Sequence, residues 1–167
     1  AFIEVFDTTL PIITSPGNSV FGYPMSEHNA TWTITDLLPS GYEIYLDDVL
    51  EQTATWTSGE KVNFTVDALA LGDHNNTIVP RDTSGNNASD MVIITVQDTI
   101  NPVITGFPVD FQAEAEVDAS WVNFTMSDDF PGRYVMWLDE SEWWNITWTS
   151  PSSETIDIGI RSIGLYN

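Results

Sequence analysis

The sequence carries an internal repeat with a period of about 90 residues, and this repeat limits the possible folds more than any other feature. Residues 7–13 recur as residues 98–104, which is an offset of 91 positions (98 minus 7). From the next apolar segment onward the offset is 92, and aromatic, proline and glycine residues keep their places. The matched pairs are Trp32 with Phe124, Pro39 with Pro131, Tyr42 with Tyr134, Trp56 with Trp148 and Gly72 with Gly164. Each unit must therefore build its own core within about 90 residues.

Short segments of alternating apolar and polar residues, separated by turn residues, fill the first complete repeat. Turn chemistry is clear at Pro39-Ser40-Gly41 and at Ser84-Gly85-Asn86. The alternation predicts seven strands, near residues 10–14, 29–35, 41–47, 50–57, 61–67, 75–80 and 90–97. Seven short strands in a unit of about 90 residues are typical of a two-sheet sandwich. The sequence therefore predicts an all-β fold of tandem immunoglobulin-like or fibronectin-III-like β-sandwiches.

The repeat also predicts where the units begin and end. Residues 2–8 match residues 93–99, the last strand of the complete unit and the linker after it. Residues 1–6 are therefore predicted to be the last strand of a preceding unit, or a strand donated to another molecule. The complete sandwich is predicted over 7–98, and 99–167 is predicted to be a second sandwich without its last two strands. The apolar residues of the candidate donor strand are Phe2, Ile3, Val5 and Phe6.

Charge and cysteine content restrict the partners and the chemistry. Twenty-five acidic residues against four basic ones give a net charge of −21, which opposes direct binding to nucleic acid or to anionic lipid. Such a surface suits either simple solubility or the binding of cations. The absence of cysteine removes thiolate zinc sites and cysteine nucleophiles. No apolar run approaches the ~18 residues of a membrane span.

Six asparagines begin the Asn-x-Ser/Thr sequence that accepts N-linked glycans. Strand alternation points four of them away from the apolar face, and the other two lie in turn-like stretches. The pattern predicts N-linked glycans and an extracellular location, although polar strands rich in Asn and Thr also produce such sequences. The six are Asn29, Asn63, Asn75, Asn87, Asn123 and Asn145.

A family resemblance rests on segments 41–47, 82–86 and 92–96 together with the linker 98–102 (DTINP). These segments resemble the tandem Ig-like repeats of large archaeal cell-surface proteins. They are also similar to HYR-type extracellular repeats, which usually carry a cysteine pair that this chain lacks. The resemblance implies stalks, surface layers, adhesins or filaments rather than catalysis.

Linkers of such surface repeats commonly end in Asp-Thr-x-x-Pro, and the resemblance therefore implies calcium between loops. Asp98 is expected to approach Asp128 and Asp129, and also Asp73 from the preceding unit. By the same reasoning Asp7 is expected to approach Asp36, Asp82 and Asn86. Oxygen ligands from several loops suit Ca²⁺. The alternative is that these carboxylates cap turns through Asx hydrogen bonds.

Other candidate chemistry is weak. The adjacent acidic pairs 47–48, 128–129 and 139–140 resemble glycosidase carboxylates only in name, because neighbours along a strand point to opposite faces. His28 and His74 are expected at the surface. Alternation places Trp144 and Trp148 in the core and Trp143 outward.

The sequence thus predicts a non-enzymatic extracellular structural protein, a glycosylated repeat of a cell-surface filament, surface layer or stalk that needs no cofactor. Its expected partners are copies of itself or adjacent Ig-like repeats. The alternative is an adhesin or carbohydrate-binding module that uses exposed loops and aromatics such as Trp143 to bind surface glycans or other surface proteins.

Overall fold

The computed structural model describes residues 1–106, 109 and 120–159. The regular elements in this part of the chain are all β-strands, so the described residues include no helix that could cross a membrane. The chain divides into two compact units, unit 1 (Ala1–Thr99) and unit 2 (Ile100–Asn167). The predicted all-β fold is confirmed.

Unit 1 is a sandwich of two sheets. One sheet has the order β1-β3-β6 and is antiparallel, and the other has the order β2-β8-β7-β4-β5 with β2 parallel to β8. This distribution of strands over two sheets is that of an immunoglobulin-like domain. The strands are β1 (Ile12–Thr14), β2 (Ser19–Tyr23), β3 (His28–Thr35), β4 (Pro39–Leu46), β5 (Val49–Thr55), β6 (Lys61–Val66), β7 (Gly72–Asp82) and β8 (Asp90–Asp98).

The core of unit 1 follows from the alternation of its strands. On β3 the buried residues are Ala30, Trp32 and Ile34, and they pack with Ile44 of β4 and Ile78 of β7. The indole N–H of Trp32 donates to Asp90 Oδ2 at 2.8 Å, and that of Trp56 donates to the Arg81 carbonyl at 3.2 Å. Both large side chains are therefore buried without an unpaired donor. A second cluster consists of Met25, Val66, Leu69, Ile94 and Val96.

Strand β2 was not predicted from the sequence. It lies between Gly17 and Pro24 and contains Gly22, so the segment resembles a turn. A Cβ atom at Gly22 would lie 2.6 Å from Thr99 Oγ1, so any larger residue here would require the threonine side chain to move. The strand pairs with β8, with Ser19 opposite Ile94, and places Phe21 and Tyr23 against the second cluster. Strand β7 is also longer than the predicted 75–80.

Unit 2 repeats this arrangement where it is described. Its strands are β9 (Val103–Thr105), β10 (Ser120–Ser127), β11 (Arg133–Leu138), β12 (Ser141–Thr147) and β13 (Ser152–Gly159). Strand β10 lies between β9 and β13, as β3 lies between β1 and β6, and β11 pairs with β12 as β4 pairs with β5. The register is kept as well, because Phe124 lies opposite Glu154 where Trp32 lies opposite Val62.

Two of the acidic pairs are hairpin turns rather than candidate catalysts. Asp47 and Asp48 join β4 to β5 with φ angles of 49° and 64°, and Asp139 and Glu140 join β11 to β12 with φ angles of 49° and 63°. Positive φ at both central residues is the mark of a type I′ turn. Aspartate tolerates this conformation better than most residues, which explains its presence at three of these four positions.

Residues 1–11 contain no strand. Phe2, Ile3, Val5 and Phe6 are exposed in this segment, with relative accessibilities of 105, 91, 87 and 72%. The predicted division into 1–6, 7–98 and 99–167 stays a prediction, as does the strand-donating role of residues 1–6.

Candidate cation site and glycosylation sites

Three carboxylates of unit 1 converge, although they are far apart in sequence. Asp7 precedes β1, Asp36 follows β3, and Asp82 ends β7. One oxygen from each lies within 4.8 Å of the other two. Asn86, in the hairpin between β7 and β8, joins them through its side-chain amide, which donates to the Asp7 carbonyl at 3.2 Å and to Asp82 Oδ2 at 2.7 Å. The structure thus brings together Asp7, Asp36, Asp82 and Asn86.

Local hydrogen bonds fix each carboxylate in place. Asp7 Oδ1 accepts from the Thr9 backbone N–H at 2.9 Å, and Asp36 Oδ1 accepts from the Leu38 N–H at 2.8 Å. Both are Asx turns, so the turn-capping alternative accounts for one oxygen of each residue. Asp7 Oδ2 is buried and has no hydrogen-bond partner. Turn capping leaves this second oxygen unexplained.

Asp82 is 4% exposed, and its environment favours the charged form. Burial acts against ionisation, but the side-chain and backbone amides of Asn86 and the backbone amides of Ser84 and Gly85 outweigh it. Together they hold the pKa of Asp82 below its usual value. Three carboxylate groups this close repel one another, and a divalent cation with oxygen ligands would offset that repulsion. The donor set therefore fits Ca²⁺, with backbone carbonyls or water completing the coordination.

The corresponding aspartates of unit 2 keep part of this geometry. Asp128 occupies the position of Asp36: its N–H donates to Ser150 Oγ at 2.8 Å, and its Oδ1 accepts from Phe130 N–H at 2.6 Å. Asp128 Oδ2 is buried without a partner, as Asp7 Oδ2 is. Asp129 is exposed, and Asp73 lies on β7, where its Oδ1 accepts from Thr95 Oγ1 at 2.6 Å. Asp98, the counterpart of Asp7, ends β8, and calcium binding by this set stays a prediction.

Two glycosylation sequences of unit 1 lie directly opposite each other on β3 and β6. Asn29 faces Thr65 and Asn63 faces Thr31. Each threonine hydroxyl donates to the asparagine of the other sequence, from Thr65 to Asn29 Oδ1 at 2.7 Å and from Thr31 to Asn63 Oδ1 at 2.8 Å. Both asparagines are exposed on the outer face of the sheet, which agrees with the alternation in the sequence.

The remaining sequences differ in accessibility. Asn75 was expected in a turn-like stretch, but it lies within β7. It is half-buried, and its Oδ1 is enclosed. Asn87 is exposed in the β7–β8 hairpin. Asn123 on β10 and Asn145 on β12 are exposed. Five of the six asparagines are therefore open to a glycan, and Asn75 is the least accessible.

The tryptophans of unit 2 are distributed differently from the prediction. Trp148 is buried, as expected, but Trp143 is half-buried and its ring centroid lies 5.7 Å from that of Trp144. The cause is an irregularity in the β11–β12 register, where Met136 pairs with Trp144 and Trp137 pairs with Glu142. A bulge of this kind interrupts the alternation on which the prediction depended. The exposed tryptophans are Trp121 and Trp137, at 55 and 59%.

One titratable pair was missed. His74 Nδ1 lies 2.7 Å from Asp47 Oδ2, and its Nε2 lies 3.0 Å from the Ala70 carbonyl. The hydrogen bond with Asp47 raises the pKa of His74, and the bond with His74 lowers the pKa of Asp47. The two residues are 27 positions apart and meet only because β4 pairs with β7, so no local pattern could have indicated the contact.

No protein-family model matches the sequence, and no curated protein matches it. Among solved structures, fibronectin(III)-like modules of CbhA from Clostridium thermocellum share 18% identity at a TM-score of 0.41, over 53% of this chain and 97% of the other. A lytic polysaccharide monooxygenase from Jonesia denitrificans shares 21% identity at a TM-score of 0.36, over 48% of this chain and 58% of the other. A 1.5-MDa bacterial ice-binding adhesin shares 13% identity at a TM-score of 0.35, over 91% of this chain and 55% of the other. All three TM-scores are below 0.5, and none of these similarities assigns a function to this chain.

Proposed function

We propose that this chain is part of an extracellular, non-enzymatic structural protein whose glycosylated immunoglobulin-like repeats form a cell-surface filament, surface layer or stalk. The supporting observation is what the two units share at an offset of 92 residues. Each unit has a hairpin turn with two successive residues of positive φ and a bulge beside that turn. In each unit an aspartate backbone N–H, that of Asp36 or Asp128, donates to a serine hydroxyl. A series of similar domains, each with its own core, suits a spacer or a load-bearing array. The sequence resemblance to archaeal surface repeats supports the same role.

Calcium has a specific part in this proposal. Bound to Asp7, Asp36 and Asp82, it ties the segment before β1 to the loops that follow β3 and β7. That segment would otherwise be held by the Asn86 contact and local turns. A fixed segment between successive sandwiches makes a tandem array stiffer, because linker flexibility sets how far neighbouring domains swing.

Calorimetric titration of the full chain with CaCl₂ tests the calcium site. We expect a Kd of about 0.1–1 mM, the range of extracellular modules, and a rise in Tm on adding Ca²⁺ that EDTA reverses. At 100 times Kd the stabilisation is about 2.7 kcal/mol. Asp82→Asn and Asp7→Asn should abolish the response, whereas Glu51→Gln, which removes one exposed charge elsewhere, should keep it. An equal response in all three variants would assign the effect to general screening of the −21 charge.

Glycosylation is proposed at the exposed sequences Asn29, Asn63, Asn87, Asn123 and Asn145, with Asn75 modified least. Peptide mass spectrometry of native material measures the occupancy of each site. Unmodified asparagine at all six positions would remove the glycan coat from the proposal.

Residues 1–6 are proposed to form the last strand of another sandwich, which belongs either to the same molecule or to a second copy. Their apolar side chains are exposed, and they match residues of β8 whose side chains at Ile94 and Val96 are buried. Light scattering of the full chain against Val5→Asp tests donation between copies. Concentration-dependent assembly that the substitution abolishes indicates donation between copies, and a monomer in both proteins contradicts it.

A binding module is the second candidate, and one surface favours it. Val135 and Trp137 are exposed on the same face of β11, where unit 1 has Glu43 and Tyr45 joined by a hydrogen bond of 2.9 Å. An exposed aromatic beside an aliphatic residue suits contact with a sugar ring or a protein. Loss of glycan-array binding in Trp137→Ala, with unchanged Tm, would support this function over the structural one.

A further inference from the structure

Strand β10 places an exposed tryptophan beside a glycosylation sequence. Trp121 and Asn123 are separated by one residue, and the ladder with β13 is regular between them, with Trp121 opposite Asp157 and Asn123 opposite Thr155. In a regular strand, residues two apart lie on the same face at a distance of about 6.6 Å. Trp121 is 55% exposed, and Asn123 is exposed as well. The indole and the glycan-accepting amide therefore share one outer face.

We propose that the first sugar of a glycan on Asn123 packs against the indole of Trp121 and covers it. This inference rests on the glycosylation part of the proposed function. One face of a pyranose ring carries C–H groups, and an indole offers a flat surface of matching size with a negative π face. The sugar is tethered by the neighbouring side chain, so the contact costs little additional entropy. An apolar group that would otherwise be exposed to water is thereby covered.

The other sequences of the chain show why Asn123 is selected. Two residues before the asparagine, unit 1 has Glu27, Lys61, Asp73 and Gly85, none of which offers a ring. Asn145 follows Trp143 by two, but the bulge in β12 turns Trp143 onto Trp144. Among the six glycosylation sequences, Asn123 alone has an aromatic residue at this spacing and a regular ladder from that residue to the asparagine, although the register shifts just before Trp121.

The equivalent strand of unit 1 carries different residues on its outer face. The positions of Trp121 and Asn123 are occupied in unit 1 by Asn29 and Thr31. There the outer face carries the hydrogen bonds between Asn29, Asn63 and two threonines. Unit 2 thus has an apolar ring and an acceptor asparagine on the same face two residues apart, whereas unit 1 has an asparagine and a threonine at these places and no ring. A glycan is the occupant that both features accommodate, because a bulky sugar at Asn123 also hinders the approach of a protein to Trp121.

The test uses the full chain secreted from a host that attaches N-linked glycans, trimmed enzymatically to a single N-acetylglucosamine. Tm is measured for four proteins: with and without the sugar (Asn123→Gln), each with Trp121 or with Trp121→Lys. The sugar should raise Tm by about 3 °C beside Trp121 and by less than about 1 °C beside lysine. The difference between the two increments cancels any direct effect of either substitution on folding.

A reciprocal exchange supplies the matched control. Lys61 lies two residues before Asn63 on β6 and is exposed, as Trp121 is on β10. Lys61→Trp should give the sugar on Asn63 the same rise in Tm that Trp121→Lys removes from the sugar on Asn123. Upfield NMR shifts of the sugar C–H protons, caused by the indole ring current, should appear only in the tryptophan-bearing proteins.

The outcomes separate the two proposals. A modified Asn123 whose sugar has the same effect beside tryptophan and lysine, with no ring-current shift, overturns the stacking and leaves glycosylation intact. An Asn123 that is unmodified in native material overturns both the stacking and the glycan assignment at this position.

Discussion

Strands β3 and β10 occupy the same place in the two units, yet they differ on both faces. On the inner face, Trp32 of β3 is fully buried, whereas Phe124 of β10 is half-buried. On the outer face, β3 carries Asn29 and Thr31 where β10 carries Trp121 and Asn123. The backbone is the same in strand order and register, and the residues on it have diverged. The repeat therefore preserves the strand framework, while the side chains that fill its core and cover its surface differ between the units.

The largest expected effect tests the inner faces. Trp32→Ala should destabilise unit 1 by about 4 kcal/mol, because it removes a fully buried side chain and leaves Asp90 without its indole donor. Phe124→Ala in unit 2 should cost about half as much, since that ring is only half-buried. Hydrogen exchange measured on peptides from each unit reports the two losses separately. Equal losses would mean that the core of unit 2 is as closed as that of unit 1.

The hairpin turns offer a smaller contrast. Glu140 adopts φ 63° and Asp48 adopts φ 64° at the same place in the two turns. Glutamate lacks the short polar side chain that helps aspartate tolerate this conformation. Glu140→Gly should therefore stabilise unit 2 by about 1 kcal/mol, and Asp48→Gly should stabilise unit 1 by less. Urea unfolding measures both, with Gly132→Ala as a control at a glycine without positive φ. A larger gain from Asp48→Gly would contradict this ranking.

The framework was readable from the sequence, and the deviations from it were not. Among the residues that repeat at 92 positions, Trp32, Trp56 and Trp148 are buried, Pro39 begins β4 and Pro131 precedes β11. Strand β2 was not predicted because it pairs in parallel with β8, which is far away in the sequence, and no hairpin turn joins the two strands. Its Gly22, which lies close to Thr99, also makes the segment resemble a turn. Trp143 was misplaced because a bulge shifts the alternation by one residue.

The candidate cation site was partly predictable for a related reason. Loops at one end of an immunoglobulin-like sandwich lie together, so Asp7, Asp36 and Asp82 could be expected to approach. The buried, unpartnered Oδ2 of Asp7 could not be expected, because it depends on the path of the chain before β1. Contacts that depend on strand pairing far along the chain, such as that of His74 with Asp47, were likewise beyond the sequence.

That contact gives the smallest predicted effect, and it should distinguish unit 1 from unit 2. The bond with Asp47 raises the pKa of His74 above 6.5, so its contribution is complete below pH 6.5 and is lost as pH rises through the folded value. The pKa of Asp47 is lowered below 3.8, so its contribution is present above pH 3.8 and is lost as pH falls through the folded value. The pair therefore stabilises unit 1 most between these limits.

The amount is less than about 1 kcal/mol, because the Asp47 side chain is 47% exposed and solvent screens the interaction. Tm of unit 1 should fall slightly between pH 6 and pH 8, and His74→Gln should remove that slope. At an offset of 92 the counterpart of Asp47 is Asp139, and that of His74 is Tyr166, which lies outside the described residues. The hairpin of unit 2 has no histidine at this place, so the protection of its peptides against hydrogen exchange, corrected for the intrinsic pH dependence of amide exchange, should not change over the same range. A slope that survives in His74→Gln would assign the pH dependence to another group.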